Sequence, residues 1–107
     1  MNFAQIILPL NLKGTFTYKV PDELLGNFEI GMRVLVSFRG KKIYTGIVAE
    51  IHQNDPETFV PKEIISILDD SPILPKEQID FWHWISEYYM RNLGEIYRLA
   101  FPSSLKL

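Results

Sequence analysis

The stretch from Arg33 to His52 constrains the fold most, because it has the period of two pleated strands joined by a short connection. In its first arm Val34, Val36 and Phe38 alternate with Arg33, Leu35 and Ser37. The second arm places every other residue on one face, namely Ile43, Thr45, Ile47, Ala49 and Ile51. Gly40 permits a positive φ in the connection. The stretch therefore predicts a β-hairpin.

The tip of this hairpin carries three cations within four residues, Arg39, Lys41 and Lys42. Such a cluster attracts an anionic partner. A solvated tip that only keeps the hairpin soluble is an equally good reading of the same residues. The tip alone leaves the two readings open.

The remaining elements follow from periodicity and from prolines and glycines that break it. Strands are expected at 2–8, 15–20 and 63–69, one helical turn at 22–25, and helices at 77–90 and 95–100. The fold class is therefore α+β: a small antiparallel, barrel-like sheet covered by one or two C-terminal helices. We expect a β-rich part, residues 1–70, and a helical part, residues 71–107, of the same domain.

Composition limits the classes of function. With 107 residues, one domain is expected, and the absence of cysteine excludes disulfides and thiolate metal sites. The net charge of −2 argues against a protein that coats nucleic acid indiscriminately. No apolar run is long enough for a membrane span and no signal peptide is recognisable, so a cytoplasmic location and no membrane partner are expected.

The sequence carries no recognisable motif for catalysis or metal binding. His52 and His83 have no ligand partner at metal spacing, and neither a phosphate-binding glycine loop nor a nucleophile elbow occurs. This chain alone is therefore not expected to be an enzyme or to hold a cofactor. The helical aromatics Trp82, Trp84, Tyr88 and Tyr89 are expected in the core, with base stacking as the alternative.

Four segments in order resemble a known family: MNFAQIILPLNLKGTFTYKVP, GMRVLVSFRGKKIYTGIV, PKEIISILDDSPIL and WISEYY. They are similar to the N-terminal domain of the primosomal protein N′ (PriA) family, the bacterial replication-restart helicases. The resemblance covers essentially the whole chain. Its most specific parts are Phe16 and Tyr18 after a turn, and the strand that leads through the basic connection.

The resemblance implies a DNA-binding module that recognises the 3′ end of the nascent leading strand at stalled replication forks. The expected partners are DNA with a 3′-OH end, forked structures and, through the full-length protein, other primosome or single-strand-binding proteins. The chain then resembles a fragment of an ATP-dependent helicase. ATP and zinc are expected for the missing C-terminal part.

The resemblance also implies a pocket for the terminal nucleotide, with Phe16, Thr17, Arg39 and Lys62 at the family positions. Thr17 stands where the family has an aspartate, and Arg39 takes the place of a glycine. The full set expected to bind DNA is Phe16, Thr17, Tyr18, Arg39, Gly40, Lys41, Lys42 and Lys62.

Two alternatives stay open at this point. Strand alternation puts Phe16 with Tyr18 and Val20, which also suits a core position. From a different class of function, the chain could be an SH3-like protein-interaction barrel with no nucleic-acid role, in which the aromatics of the helix form the partner surface.

Overall fold

A computed structural model describes residues 1–101 of the chain. It contains five strands, a short 3-10 helix and two α-helices: β1 (Asn2–Ile7), β2 (Phe16–Val20), the 3-10 helix (Asp22–Asn27), β3 (Arg33–Phe38), β4 (Lys42–His52), β5 (Ser66–Ile67), α1 (Lys76–Tyr88) and α2 (Leu93–Ala100). All strand pairs are antiparallel, in the order β2-β1-β4-β3-β5. The predicted α+β class is confirmed.

The sheet curls without closing into a complete barrel, and one short contact links its two edges. Lys19 on β2 forms a parallel bridge with Glu63, which precedes β5. The amide of Lys19 donates to the carbonyl of Lys62 at 2.8 Å, and the amide of Ile64 donates to the carbonyl of Lys19 at 3.0 Å. The segment before β5 thereby connects edge strand β2 to the opposite edge.

The predicted hairpin is confirmed as β3 and β4, which pair from Arg33↔Ile47 to Phe38↔Lys42. Two residues of the connection have left-handed backbones, Arg39 with φ 50° and Gly40 with φ 88°. Glycine adopts this conformation freely, whereas a side-chain residue does so at a cost. The backbone at Arg39 thus has the conformation that suits a glycine, the residue that the resemblance implies at this position.

The curled sheet buries one apolar cluster inside and a second beneath the helices. The inner cluster includes Ala4, Ile6, Leu8, Tyr18, Val20, Phe28, Val34, Val36, Val48 and Ile64. The helix-side cluster joins Ile7, Ile47 and Ala49 to residues that precede or belong to the helices, Leu74, Ile79, Trp82, Leu93 and Tyr97. Residues of β1 and β4 thus contribute to both clusters, as a sheet with two covered faces requires.

The expectation that Ile51 shares a face with Ile47 and Ala49 is wrong. The register of β1 against β4 shifts between Gln5 and Ile6, so that Gln5 pairs with Glu50 and Ile6 with Val48. Ala49 is the extra residue of a β-bulge, which offsets the alternation by one position. Ile51 consequently packs with the inner cluster, while Ile47 and Ala49 lie under the helices.

The strand predicted over 63–69 is shorter than expected, because this segment divides its hydrogen bonds between two neighbours. Glu63 bridges to β2, whereas only Ser66–Ile67 form a regular strand against β3. Two flanking amides also bond to β3, Ile65 to the carbonyl of Leu35 and Leu68 to the carbonyl of Arg33.

An ion pair fastens the end of this segment to the start of β3. The Arg33 guanidinium lies 2.7 Å from the Asp69 carboxylate, which also accepts the Arg33 backbone N–H at 2.8 Å. Burial by itself would raise the pKa of Asp69, but the hydrogen bonds and the charge of Arg33 lower this pKa below its ordinary value. Asp69, the last residue of the predicted strand, therefore has a defined structural partner.

The first helix begins one residue before its predicted start and ends two residues before its predicted end. The second begins two residues before its predicted start. Asn92 and Glu95 form a capping box at the start of α2. Gly94 lies so close to the loop after β1 that a Cβ built there would overlap the carbonyl oxygens of Leu8 and Leu10. This close approach seats α2 against the sheet.

The prediction that the helical aromatics lie in the core is right for one and wrong for three. Trp82 is only 2% exposed and stacks against Tyr97, with ring centroids 6.2 Å apart. Trp84, Tyr88 and Tyr89 are 52%, 66% and 59% exposed. They contact one another on the outer side of α1 because the sheet and α2 cover only one stripe of this helix.

Within residues 1–101, no helix is long and apolar enough to cross a membrane.

Candidate functional site

A pocket of about 250 Å³ opens where three distant parts of the chain meet. The start of β2, the end of β3 with the first hairpin-tip residue, and the loop before β5 each supply part of its lining. The lining residues are Phe16, Thr17, Tyr18, Ser37, Phe38, Arg39, Phe59, Val60, Pro61 and Lys62. Five of the eight predicted binding residues are therefore brought together: Phe16, Thr17, Tyr18, Arg39 and Lys62.

Two aromatic side chains and a guanidinium form one side of this pocket. Phe16 and Phe38 meet edge to face, with centroids 4.8 Å apart, and Arg39 lies 5.3 Å from the Phe38 ring centroid. This distance suits a cation–π contact. Phe16 is half-buried and packs against the inner cluster while it lines the pocket. The sequence left two alternatives for Phe16, a core position and a pocket position, and this one ring occupies both.

Tyr18 is a buried part of the lining. Its ring is 4% exposed, and its hydroxyl donates to the carbonyl of Ser37 at 2.7 Å. Burial raises the pKa of Tyr18 to about 12. The phenol therefore stays neutral and ties β2 to β3 across the curled sheet, and it offers the pocket a fixed apolar floor.

The Thr17 side chain is engaged on the other face of β2. Its hydroxyl donates to Gln5 Oε1 at 2.7 Å, and Gln5 Nε2 donates to Thr15 Oγ1 at 2.9 Å. His52 Nε2 lies 3.0 Å from the same Gln5 oxygen, which can only accept, so this ring nitrogen carries the proton. The Thr17 proton is thus committed, and the oxygen keeps only acceptor capacity.

The backbone of Thr17, in contrast, faces the pocket edge of β2. The N–H and C=O of Lys19 point away from β1 toward residues 62–64, as their two hydrogen bonds require. Residues two apart in a strand direct these groups to the same side. The N–H and C=O of Thr17 therefore also point away from β1, next to Lys62 and Arg39. Residue 17 presents a donor and an acceptor there whatever its side chain.

The cations of the site divide into two at the pocket and two beyond it. Lys62 Nζ lies 3.5 Å from the carbonyl oxygen of Gly40, which brings the lysine to the base of the hairpin tip. Lys41 and Lys42 are exposed on that tip and do not belong to the pocket lining. The site is therefore a small pocket with two further basic residues beside it.

Sequence reasoning missed half of the pocket. Ser37 and Phe38 end β3 as expected, but their position beside Phe16 depends on the curl of the sheet. Phe59, Val60 and Pro61 lie between β4 and β5, in a mostly polar loop for which the sequence predicts no element. The signal available was the pair Phe59-Val60, which is apolar within that polar loop.

A metal centre has no support among residues 1–101, which contain no group of three or more His, Asp or Glu side chains placed to hold an ion.

Comparison with known proteins identifies the family of this fold and pocket. Residues 5–102 match the family of PriA 3′DNA-binding domains, abbreviated 3′BD. The chain belongs to this family. The match covers nearly the whole chain, as the resemblance drawn from the sequence implied, and it does not favour the protein-interaction barrel.

Several relatives are named replication restart protein PriA. The protein from Bacillus subtilis is 32% identical to this chain over 109 residues, covering 99% of the chain and 14% of the relative. The Haemophilus influenzae protein is 34% identical over 107 residues, with the same coverage. That of Rickettsia conorii is 33% identical and is covered over 16% of its length. The chain thus spans about one seventh of the length of these PriA proteins.

Proposed function

We propose that this domain binds the 3′ end of a DNA strand by enclosing the terminal nucleotide in the pocket described above. The observation that carries this proposal is the meeting of Phe16, Thr17, Arg39 and Lys62 around one small space. These residues come from three separate segments of the chain, and they carry complementary groups. Membership in the PriA 3′DNA-binding domain family supports the same ligand.

Each part of a terminal nucleotide has a partner of suitable chemistry. The half-exposed ring of Phe16 offers a flat apolar surface to the base. The backbone N–H of Thr17 can donate a hydrogen bond to a sugar hydroxyl, and its C=O can accept one from it. The phosphate that precedes the terminal nucleoside is attracted to Lys62 and Arg39. One aromatic face, one polar pair and two cations are enough for a single nucleotide.

A pocket of this size would favour the end of a strand over its middle. A chain with net charge −2 cannot hold a long strand by phosphate contacts alone. A terminal phosphate adds negative charge beside the Thr17 carbonyl, which only accepts hydrogen bonds. Free 3′-OH ends are therefore favoured over ends that are blocked by phosphate.

In the longer PriA proteins, this binding would direct replication restart to the nascent leading strand at a stalled fork. We propose helicase activity, ATP binding and zinc binding only for the longer protein, outside these 107 residues. The same holds for contacts with other primosome or single-strand-binding proteins. A role on chromosomal DNA places the protein in the cytoplasm.

The direct test is a titration of one labelled oligonucleotide with a free 3′-OH and of its 3′-phosphorylated twin. We expect the blocked end to bind more weakly than the free end. The loss of binding free energy should exceed the contribution of one hydroxyl hydrogen bond, which is about 0.5–1.5 kcal/mol. Lys62→Ala should weaken both ligands because both keep the preceding phosphate. Equal affinity for free and blocked ends would reduce the domain to a general single-strand binder.

Substitutions at Thr17 separate the contributions of side chain and backbone. Thr17→Val removes the hydroxyl but keeps the strand, so discrimination between free and blocked ends should persist if the backbone recognises the sugar. Thr17→Asp introduces the residue that the resemblance implies, but its carboxylate would lie beside Gln5 on the other face of β2, so discrimination should stay close to that of the wild type. Loss of discrimination in Thr17→Val would assign recognition to the hydroxyl instead.

A further inference from the structure

Phe59 is an aromatic side chain in an exposed and otherwise polar loop. Its side chain is 51% exposed, and the neighbouring Val60 is 92% exposed. The loop from Gln53 to Thr58 is polar or charged apart from one proline. Among residues 1–101, no ring stacks on Phe59, whereas Phe16 pairs with Phe38 on one side of the same pocket. Phe59 thus has an aromatic face without an aromatic partner.

The position of Phe59 indicates which surfaces its free aromatic face can reach. With Val60 and Pro61 it lines the pocket in a segment separate from the Phe16–Phe38 pair. The same three residues also border a larger depression of about 880 Å³ on the side of Met1, Phe3 and Lys19. The loop is therefore a ridge between two hollows, and it is not covered by the core.

Charge favours a nucleotide on the pocket side of this ridge. The larger depression has Lys19 on its lining, but Asp55 and Glu57 outnumber it and repel a phosphate. The pocket has Arg39 and Lys62 on its lining and no acidic residue. A phosphate next to Phe59 is thus stabilised only on the pocket side.

We propose that Phe59 stacks on the base of the 3′-terminal nucleotide, so that this base is held between Phe59 and Phe16. The proposal rests on the function proposed above and adds a binding residue to that site. A nucleobase has two faces, and stacking on the second buries apolar surface that Phe16 cannot reach. Because every base has such a face, the contact strengthens binding without selecting a sequence.

The test compares two oligonucleotides with a free 3′-OH, one with a normal terminal nucleotide and one with an abasic terminal sugar. Phe59→Ala should weaken binding of the normal oligonucleotide by between about fivefold and about 150-fold, the range for loss of one aromatic stacking partner. Binding of the abasic oligonucleotide should be unchanged. Phe59→Tyr keeps a ring of the same shape and should bind both oligonucleotides like the wild type.

Thr58→Ala is the matched control, because it shortens an exposed side chain of the same loop that does not line the pocket. It should change affinity for the normal oligonucleotide less than twofold. Equal losses for normal and abasic ends in Phe59→Ala would show that the loop shape matters instead of stacking, and no loss at all would also overturn the proposal.

Failure of the stacking proposal is distinguishable from failure of the proposed function. If the wild type prefers 3′-OH to 3′-phosphate while Phe59→Ala binds like the wild type, end recognition stands and stacking is refuted. If the wild type shows no such preference, end recognition is refuted. A loss in Phe59→Ala confined to the base-bearing end would then still assign Phe59 to base stacking.

Discussion

Two tryptophans on α1 should respond very differently to truncation, although they are two residues apart. Trp82 is 2% exposed and packs on Tyr97 and Phe101, with centroids 6.2 and 6.1 Å apart. Replacement of such a buried ring by alanine costs about 3–5 kcal/mol, which combines lost burial with the cavity left behind. For a domain of this size, Trp82→Ala should therefore lower the Tm by roughly 12–40 °C.

Trp84→Ala is the matched control, since the same ring is removed from the outer face of the same helix. Trp84 is 52% exposed and contacts Tyr88 at 5.0 Å between centroids. Its loss should lower the free energy of unfolding by only about 0.5–1.5 kcal/mol, the contribution of an aromatic pair. Thermal unfolding followed by circular dichroism measures both variants under the same conditions.

Oligonucleotide binding completes this comparison. Neither tryptophan lines the pocket of Phe16 and Lys62, so both variants, measured below their Tm, should bind a 3′-OH oligonucleotide like the wild type. Equal stability losses in the two variants would refute the assignment of one buried and one exposed face. Lost binding by a stable Trp84→Ala would instead make this ring a stacking platform for bases.

Three further predictions concern the basic tip, the seat of α2 and the ion pair. Replacing Lys41 and Lys42 with alanine should reduce the slope of log affinity against log salt by up to about 1.4, because each phosphate contact to a single strand contributes about 0.7; Arg98→Ala, a change on the exposed side of α2, should leave the slope alone, and an unchanged slope in the double variant would contradict this role. Gly94→Ala should lower the Tm because its Cβ would overlap backbone oxygens that cannot turn aside; a Tm equal to that of the wild type would show that α2 is free to shift. Since the pKa of Asp69 is lowered in the folded protein, its stabilising contribution is complete above the unfolded pKa of about 3.9 and is lost as pH falls through the lower folded pKa; Asp69→Asn should therefore be less stable than the wild type at neutral pH, with a difference that narrows in acid, and a difference independent of pH would rule this out.

Local alternation predicted the strands well because every second residue of β3, namely Val34, Val36 and Phe38, packs in or against the inner cluster. Arg33 to Phe38 and the following arm pair as the sequence indicated. Alternation fails after Ala49 because one extra residue shifts the pleat, and such a bulge leaves no clear mark in a single sequence. Helical periodicity identified α1 but could not tell that its aromatic face is wider than the surface that covers it.

The pocket could be predicted only in part, for a reason that lies in its construction. Phe16 and Lys62 came from a family resemblance, not from residue chemistry. Phe59 belongs to no motif and enters the pocket because the sheet curls. Contacts between residues distant in sequence are set by packing of the whole domain, which periodicity does not encode.

The bridge between Lys19 and Glu63 couples ligand binding in the pocket to the opening of the sheet. It joins β2 to the segment that carries Lys62, so the two sides of the pocket separate if the bridge opens. A ligand that binds only the closed form must slow that opening by mass action. The amides of Lys19 and Ile64 should therefore exchange with solvent deuterium more slowly when a 3′-OH oligonucleotide is bound, although neither amide need touch it.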